Sequence, residues 1–191
     1  MIAMQRRELI QLIAAVTGCA FVGHDALWAA EFPQAALPYS DSDVDFLDDV
    51  ADTILPTTDT PGARDAAVGR FIARYSAACY PPEHIALLKS GMSDIDAQMQ
   101  VLQSKGFRQA NAVAKISLLT QIDRQAKEHA RQADAKPGEN SPHYFTLMKQ
   151  LTLFGFFTSE PGATRVARYR PIPGRYKGCI PYVKGETFWS W

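Results

Sequence analysis

The chain has 191 residues, and its 20 Lys plus Arg are matched by 20 Asp plus Glu, so the net charge is zero. That length suits one globular domain with an N-terminal extension, and a body of roughly 155 residues buries about two-thirds of its unfolded surface. A neutral balance excludes a global electrostatic field for nucleic acid or for an acidic membrane.

Residues 1–30 read as an address rather than as part of the fold. Gln5-Arg6-Arg7-Glu8-Leu9-Ile10 places a twin arginine, Arg6 and Arg7, ahead of an uncharged apolar run from Leu9 to Val22. The pattern predicts a Tat signal, and hence a periplasmic protein that crosses the membrane folded. The run is shorter than the about 20 apolar residues that a permanent anchor needs. Leu27-Trp28-Ala29-Ala30 offers an imperfect cleavage site, while Val16-Thr17-Gly18-Cys19 resembles a lipoprotein box. Cys19 therefore has two readings: a lipidated residue that would attach the protein to the membrane, or a small apolar residue of the signal.

Residues 31–39, with Pro33 and Pro38, read as an extended linker. Residues 40–158 then carry five helical patterns. Ser40 caps a helix to about Leu55, with Asp41, Asp43 and Asp45 in its first turns and Phe46, Leu47, Val50, Ala51 and Ile54 inward. Pro56 stops it, and Pro61-Gly62 marks a turn. Asp65 is placed to cap a second helix through about Ala78, with Val68, Phe71, Ile72 and Tyr75 inward. A third runs from Pro82 to Ser104 on Ile85, Leu88, Met92, Ile95, Met99 and Leu102, with Gly91 a place to bend and Gly106 a stop. A fourth spans Gln109 to Ala133 on Val113, Ile116, Leu119, Ile122 and Ala126. Ser141 and Pro142 open a fifth, to about Thr158, that is apolar nearly all round and so buried on several sides.

Residues 159–191 are punctuated by Pro and Gly and studded with aromatics. They read as an extended arm without a core of its own. The expected fold is all-α: about five helices in one domain, with this long irregular arm packing on the domain and on a partner. The apolar fifth helix and the arm supply the expected partner contacts: Phe154, Phe156, Phe157, Tyr169, Arg170, Tyr176, Tyr182, Phe188, Trp189 and Trp191. Aromatics interleaved with Arg dominate protein–protein hot spots. Charge is also segregated. Eight Asp and one Arg lie between Ser40 and Asp65, whereas Thr164 to Trp191 carries six basic residues and only Glu186. These are either two solvated surfaces or surfaces that meet each other or a partner.

Chemistry-bearing motifs are absent from the sequence. It holds no dinucleotide or P-loop glycine pattern, no C-x-x-C and no C-x-x-C-H. The four histidines (His24, His84, His129 and His143) are scattered, and no serine has a base at a telling spacing. No catalytic, cofactor-binding or metal-ligating residue is assigned. The i, i+4 carboxylates of the first helix read as a solvated acidic face in preference to a cation site. Cys79 and Cys179 remain after removal of the signal, and an oxidising compartment invites a bond between them; two separate thiols are the alternative.

Ile54-Leu55-Pro56-Thr57-Thr58-Asp59-Thr60-Pro61-Gly62-Ala63 resembles the hallmark IIPxTDTPGA of the gluconate 2-dehydrogenase subunit 3 family. Val68 and Phe71 in the following helix, Leu151 to Glu160, and Tyr169 to Cys179 resemble that family's later blocks. The resemblance implies a small, non-catalytic subunit of a periplasmic sugar, sugar-acid or glycoside dehydrogenase. It implies that FAD sits in a glucose-methanol-choline-type (GMC-type) catalytic partner, with haem c in a further cytochrome subunit, and that the Tat leader carries the flavoprotein across. The alternatives are an independent periplasmic module binding a small ligand among the aromatics, and an enzyme in its own right.

Overall fold

The computed structural model describes residues 37–134, 142–172 and 183–190, together with 174, 175, 179 and 181. These residues form an all-α bundle. α1 is Asp41–Ile54, α2 Val68–Cys79, α3 Pro82–Gln103, α4 Ala112–Asp134 and α5 Tyr144–Phe157. A 3-10 turn, Phe107–Gln109, joins α3 to α4. A π-helical turn, Gly162–Val166, follows α5.

α1 forms as its sequence dictates. Ser40 and Asp43 close a reciprocal capping box: the Asp43 amide donates to Ser40 Oγ at 3.2 Å, and the Ser40 amide donates to Asp43 Oδ2 at 2.8 Å. Phe46, Leu47, Val50 and Ala51 are buried on one face. Burying each larger side chain of this kind stabilises by about 1.5–3 kcal/mol. Tyr39, in the expected linker, is already part of the core: its ring is buried and its hydroxyl is hydrogen-bonded to Ser76 Oγ at 3.0 Å.

α2 begins three residues after the expected Asp65, and Asp65 does not cap it. The N-cap is Ala67, with φ 48° and no side-chain cap bond. Asp65 Oδ2 instead accepts from the Gly62 amide and from Thr57 Oγ1, both at 2.8 Å. The competition is local: a carboxylate beside a turn satisfies the turn's free donors before it reaches a helix end. α1 and α2 form the most extensive helix pair. They cross at Gly69, where an added Cβ would lie 2.6 Å from both the Val44 carbonyl oxygen and the Asp48 amide nitrogen. The Gly69 amide donates to Asp48 Oδ1 at 2.6 Å across the same crossing.

α3 starts with Pro82 at its first turn and runs unbroken through Gly91. Gly91 does not split the helix; it leaves room for the Tyr144 ring of α5. The stop is Ser104, with φ 55°, rather than Gly106, whose φ is −64°. Leu102 is exposed, while Phe107 of the 3-10 turn is fully buried, its amide donating to Asp96 Oδ1 at 2.7 Å. On α4 the buried face is Leu118, Leu119, Ile122 and Ala126, and Asn111 Oδ1 receives the Ala114 amide at 2.8 Å. Val113 and Ile116 face outward, against expectation. Steps of three residues fall short of a full turn by about 60° each, so a run of such steps drifts off the buried face.

α5 packs against each of the other four helices. It buries Phe145, Leu147, Met148, Leu151, Thr152, Gly155 and Phe156. Its observed N-cap is His143, whose Nδ1 accepts from the Phe145 amide at 3.2 Å; the expected Ser141 lies outside the described residues. The arm then turns back on itself. Arg168–Tyr169 pairs in parallel with Trp189–Ser190, and the Arg168 amide donates to the Phe188 carbonyl at 2.8 Å.

Candidate partner-binding surface

α5 is apolar around almost its whole circumference, yet the bundle does not cover all of it. Leu153, Phe154 and Phe157 remain 36, 45 and 37% exposed. The arm extends this flank. The Phe188 ring lies 5.6 Å from that of Phe157, and Phe188 is itself half open. Trp189 is held beneath two guanidinium groups, Arg168 and Arg170, each 5.3 Å from its ring. Arg168 also pairs with Glu186 at 2.6 Å. Tyr169 and Ile172 stand exposed beside them. A rigid bundle face and an arm stitched by cation–π contacts thus present aromatic side chains together.

Of the expected contact residues, the structure brings Phe154, Phe157 and Phe188 onto this flank, with Tyr169, Arg170 and Trp189 exposed on the arm. Phe156 is not among them. It is 3% exposed and belongs to the core, because the opposite face of α5 is the one that meets the bundle. Tyr176, Tyr182 and Trp191, and at the other end Arg6, Arg7 and Cys19, lie outside the described residues.

Cys79 and Cys179 are free and exposed, so the invited disulfide is not made. Cys79 ends α2, whereas the ordered turn and strands of the arm are carried on α5 and on each other.

The acidic segment finds its counter-ions inside the bundle. Asp49 receives Arg64 Nη2 at 2.5 Å and Arg108 Nε at 3.4 Å, with Lys115 Nζ at 4.0 Å. Arg64 also reaches Asp52 at 3.4 Å, and Arg108 reaches Asp45 at 3.0 Å. Among the described residues the partners therefore come from the loop before α2, the 3-10 turn and α4, not from the basic arm. The arm's Arg165, after the bonds from Gly62 and Thr57, helps to hold the Asp65 carboxyl below its usual range. Asp48 is pushed the other way, chiefly by burial. On the far side Asp123 accepts from both Lys127 and Lys149 at 2.7 Å, which holds its carboxyl low.

The clefts offer little unspent chemistry. One of about 540 Å³ between α1 and α3 is lined by Asp43, Phe46, Met92, Asp96 and Arg108 among others. Asp43 is committed to the Ser40 amide, Asp96 to the Phe107 amide and Arg108 to Asp45. Sequence spacing missed one pairing: α4 and α5 bring His129 and His143 to 5.7 Å between rings. Burial first, and then His129, depress the His143 pKa. Among the described residues no group of three or more His, Cys, Asp or Glu could hold a metal, and no helix is long and apolar enough to cross a membrane.

Among the described residues every buried side-chain polar atom has a partner, and what this small helical bundle leaves at its surface is an aromatic patch of the kind that marks protein–protein contacts. The chain belongs to the gluconate 2-dehydrogenase subunit 3 family, whose model matches residues 41–174, a span that includes all five helices and the start of the arm. That membership makes it a subunit type of a multi-subunit dehydrogenase. Comparison with curated proteins and with solved structures finds no match.

Proposed function

We propose that this chain is the non-catalytic small subunit of a heteromeric periplasmic dehydrogenase acting on a sugar, sugar acid or glycoside. Its catalytic partner is a GMC-type flavoprotein that holds FAD, and a c-type cytochrome is the further subunit that takes the electrons. The small subunit stabilises the flavoprotein, and its twin-arginine leader, Arg6 and Arg7, takes the folded pair through the Tat translocase. The observation that carries this reading is the aromatic flank of Phe154, Phe157 and Phe188, continued on the arm by Trp189, whose rings stay partly exposed at the surface of the bundle. Large side chains of this kind stay in water only at a cost, which burial against a second protein removes.

The test is co-expression of the full chain, tagged, with its flavoprotein. The flavoprotein and its flavin absorbance should co-purify with the tag, and the isolated small subunit should carry no flavin and no dehydrogenase activity. Replacement of Arg6 and Arg7 by Lys should leave both polypeptides in the cytoplasm. Flavin bound to the isolated chain, or turnover by it alone, would overturn the reading.

A further inference from the structure

α2 has two faces. Val68, Gly69, Ile72, Ala73 and Ser76 are buried in the bundle. The opposite face lines a groove of about 430 Å³ with Ala67, Arg70, Phe71, Arg74, Tyr75, Ala78 and Cys79. Taken from Ala67, those positions are i, i+3, i+4, i+7, i+8, i+11 and i+12, an unbroken helical stripe along the length of α2. Ridges and grooves of this spacing are what one helix offers another.

The floor of the stripe is preset. The Phe71 and Tyr75 rings stack at 5.3 Å, and the Phe154 ring of α5 meets them edge-on at 5.6 and 5.3 Å. Gly155 makes room for this arrangement, since a Cβ there would come within 2.5 Å of Phe71. Alanines at either end allow close approach. Along one edge, a turn apart, stand Arg70 and Arg74. Both are exposed, and neither forms an ion pair among the described residues.

We propose that the outer face of α2 seats one amphipathic helix of the catalytic subunit, with its apolar stripe on Phe71 and Tyr75 and two carboxylates a turn apart paired with Arg70 and Arg74. The assignment rests on the small-subunit reading above and specifies where that contact is made. A helix of about 12 residues, roughly 18 Å, matches the length of the seat. Charge disfavours an antiparallel second copy of this chain. An antiparallel twofold pair of α2 helices keeps each rim on its own side and sets Arg70 and Arg74 against their own counterparts, a like-charge contact.

The test compares the tagged full chain with Arg70→Glu/Arg74→Glu, with Ala78→Trp and with Arg124→Glu, a charge reversal on exposed α4. Each is co-expressed with the flavoprotein, which is identified by mass and flavin absorbance. Arg70→Glu/Arg74→Glu should lower co-purified flavin by about tenfold or more, the effect of reversing two interfacial charges. Circular dichroism and melting of the variant small subunit alone should stay unchanged. Ala78→Trp, which fills the seat without altering charge, should lower it independently, and Arg124→Glu should not. Binding of wild type should also weaken more steeply with salt than binding of the double variant. Undiminished flavin with both seat variants overturns the proposal and leaves the small-subunit reading standing. A wild-type chain that captures no flavoprotein overturns both. Self-association of the wild type that the double variant abolishes would assign the seat to a second copy and overturn the proposal.

Discussion

Gly69→Ala is the sharpest probe of the packing, because local and tertiary reasoning give opposite signs. Within a helix alanine is favoured over glycine by at most about 1 kcal/mol, so even at the second position of α2 propensity alone predicts a more stable protein. The crossing with α1 predicts the reverse. The new Cβ would lie 2.6 Å from the Val44 carbonyl oxygen and from the Asp48 amide nitrogen, backbone atoms of a capped helix that cannot swing aside as a side chain can. Separating α1 from α2 overpacks the site at about 1–3 kcal/mol. It also stretches the 2.6 Å bond from the Gly69 amide to Asp48, and a hydrogen bond to a charged group contributes about 1.5–3 kcal/mol. Offsetting the gain in propensity leaves a net loss of about 1.5–5 kcal/mol. For a chain of this size that lowers the melting temperature by about 3–20 °C. Urea unfolding of wild type and variant, followed by circular dichroism, measures it. A variant as stable as wild type, or more so, refutes the account of how α1 and α2 meet.

Two further perturbations read single ionisable groups. His143 caps α5 through an unprotonated Nδ1, and burial depresses its pKa below the ordinary 6.5. The unfolded chain therefore takes up this proton first, and the contribution falls as pH drops below about 6.5. Two facing groups act on the charged form of His143: His129 opposes it and Asp94 favours it. His143→Asn keeps a cap acceptor and should flatten that part of the stability–pH profile; an unchanged profile would remove His143 from the account. Asp123 lies the other way. Its carboxyl is held low by Lys127 and Lys149, so its contribution is present above the usual carboxylate range and lost as pH falls through its depressed value. Asp123→Asn should cost about 1 kcal/mol near neutrality, given partly exposed lysines, and nothing in strong acid. A deficit that persists in acid would mean the cost is not electrostatic.

Much of the helical framework is legible from local chemistry. Ser40 with Asp43, Pro56 after α1, Pro82 at the start of α3 and the stripe Phe46, Leu47, Val50 and Ala51 each act within a turn or two of the chain. Such signals survive in the sequence because no distant residue is needed to complete them. The candidate surface was legible as a composition: an aromatic arm and a helix rich in Phe. The role of Asp65, the Ser104 stop and the meeting of His129 with His143 were not, since each was settled by competing donors or by neighbours far along the chain.

The sequence by itself determined that this protein is helical, where most helices lie and which family it belongs to. The tertiary structure alone decided which side of each apolar helix is inside. α5 shows why: with apolar residues almost all round, it carries no periodic contrast that could tell Phe156 from Phe154. Four neighbouring helices supply that contrast by covering one face, and Phe156 becomes core while Phe154 stays at the surface, against the groove of α2. Burial is a relation between elements, so a face that any of several packings could hide acquires its identity only when the helices meet.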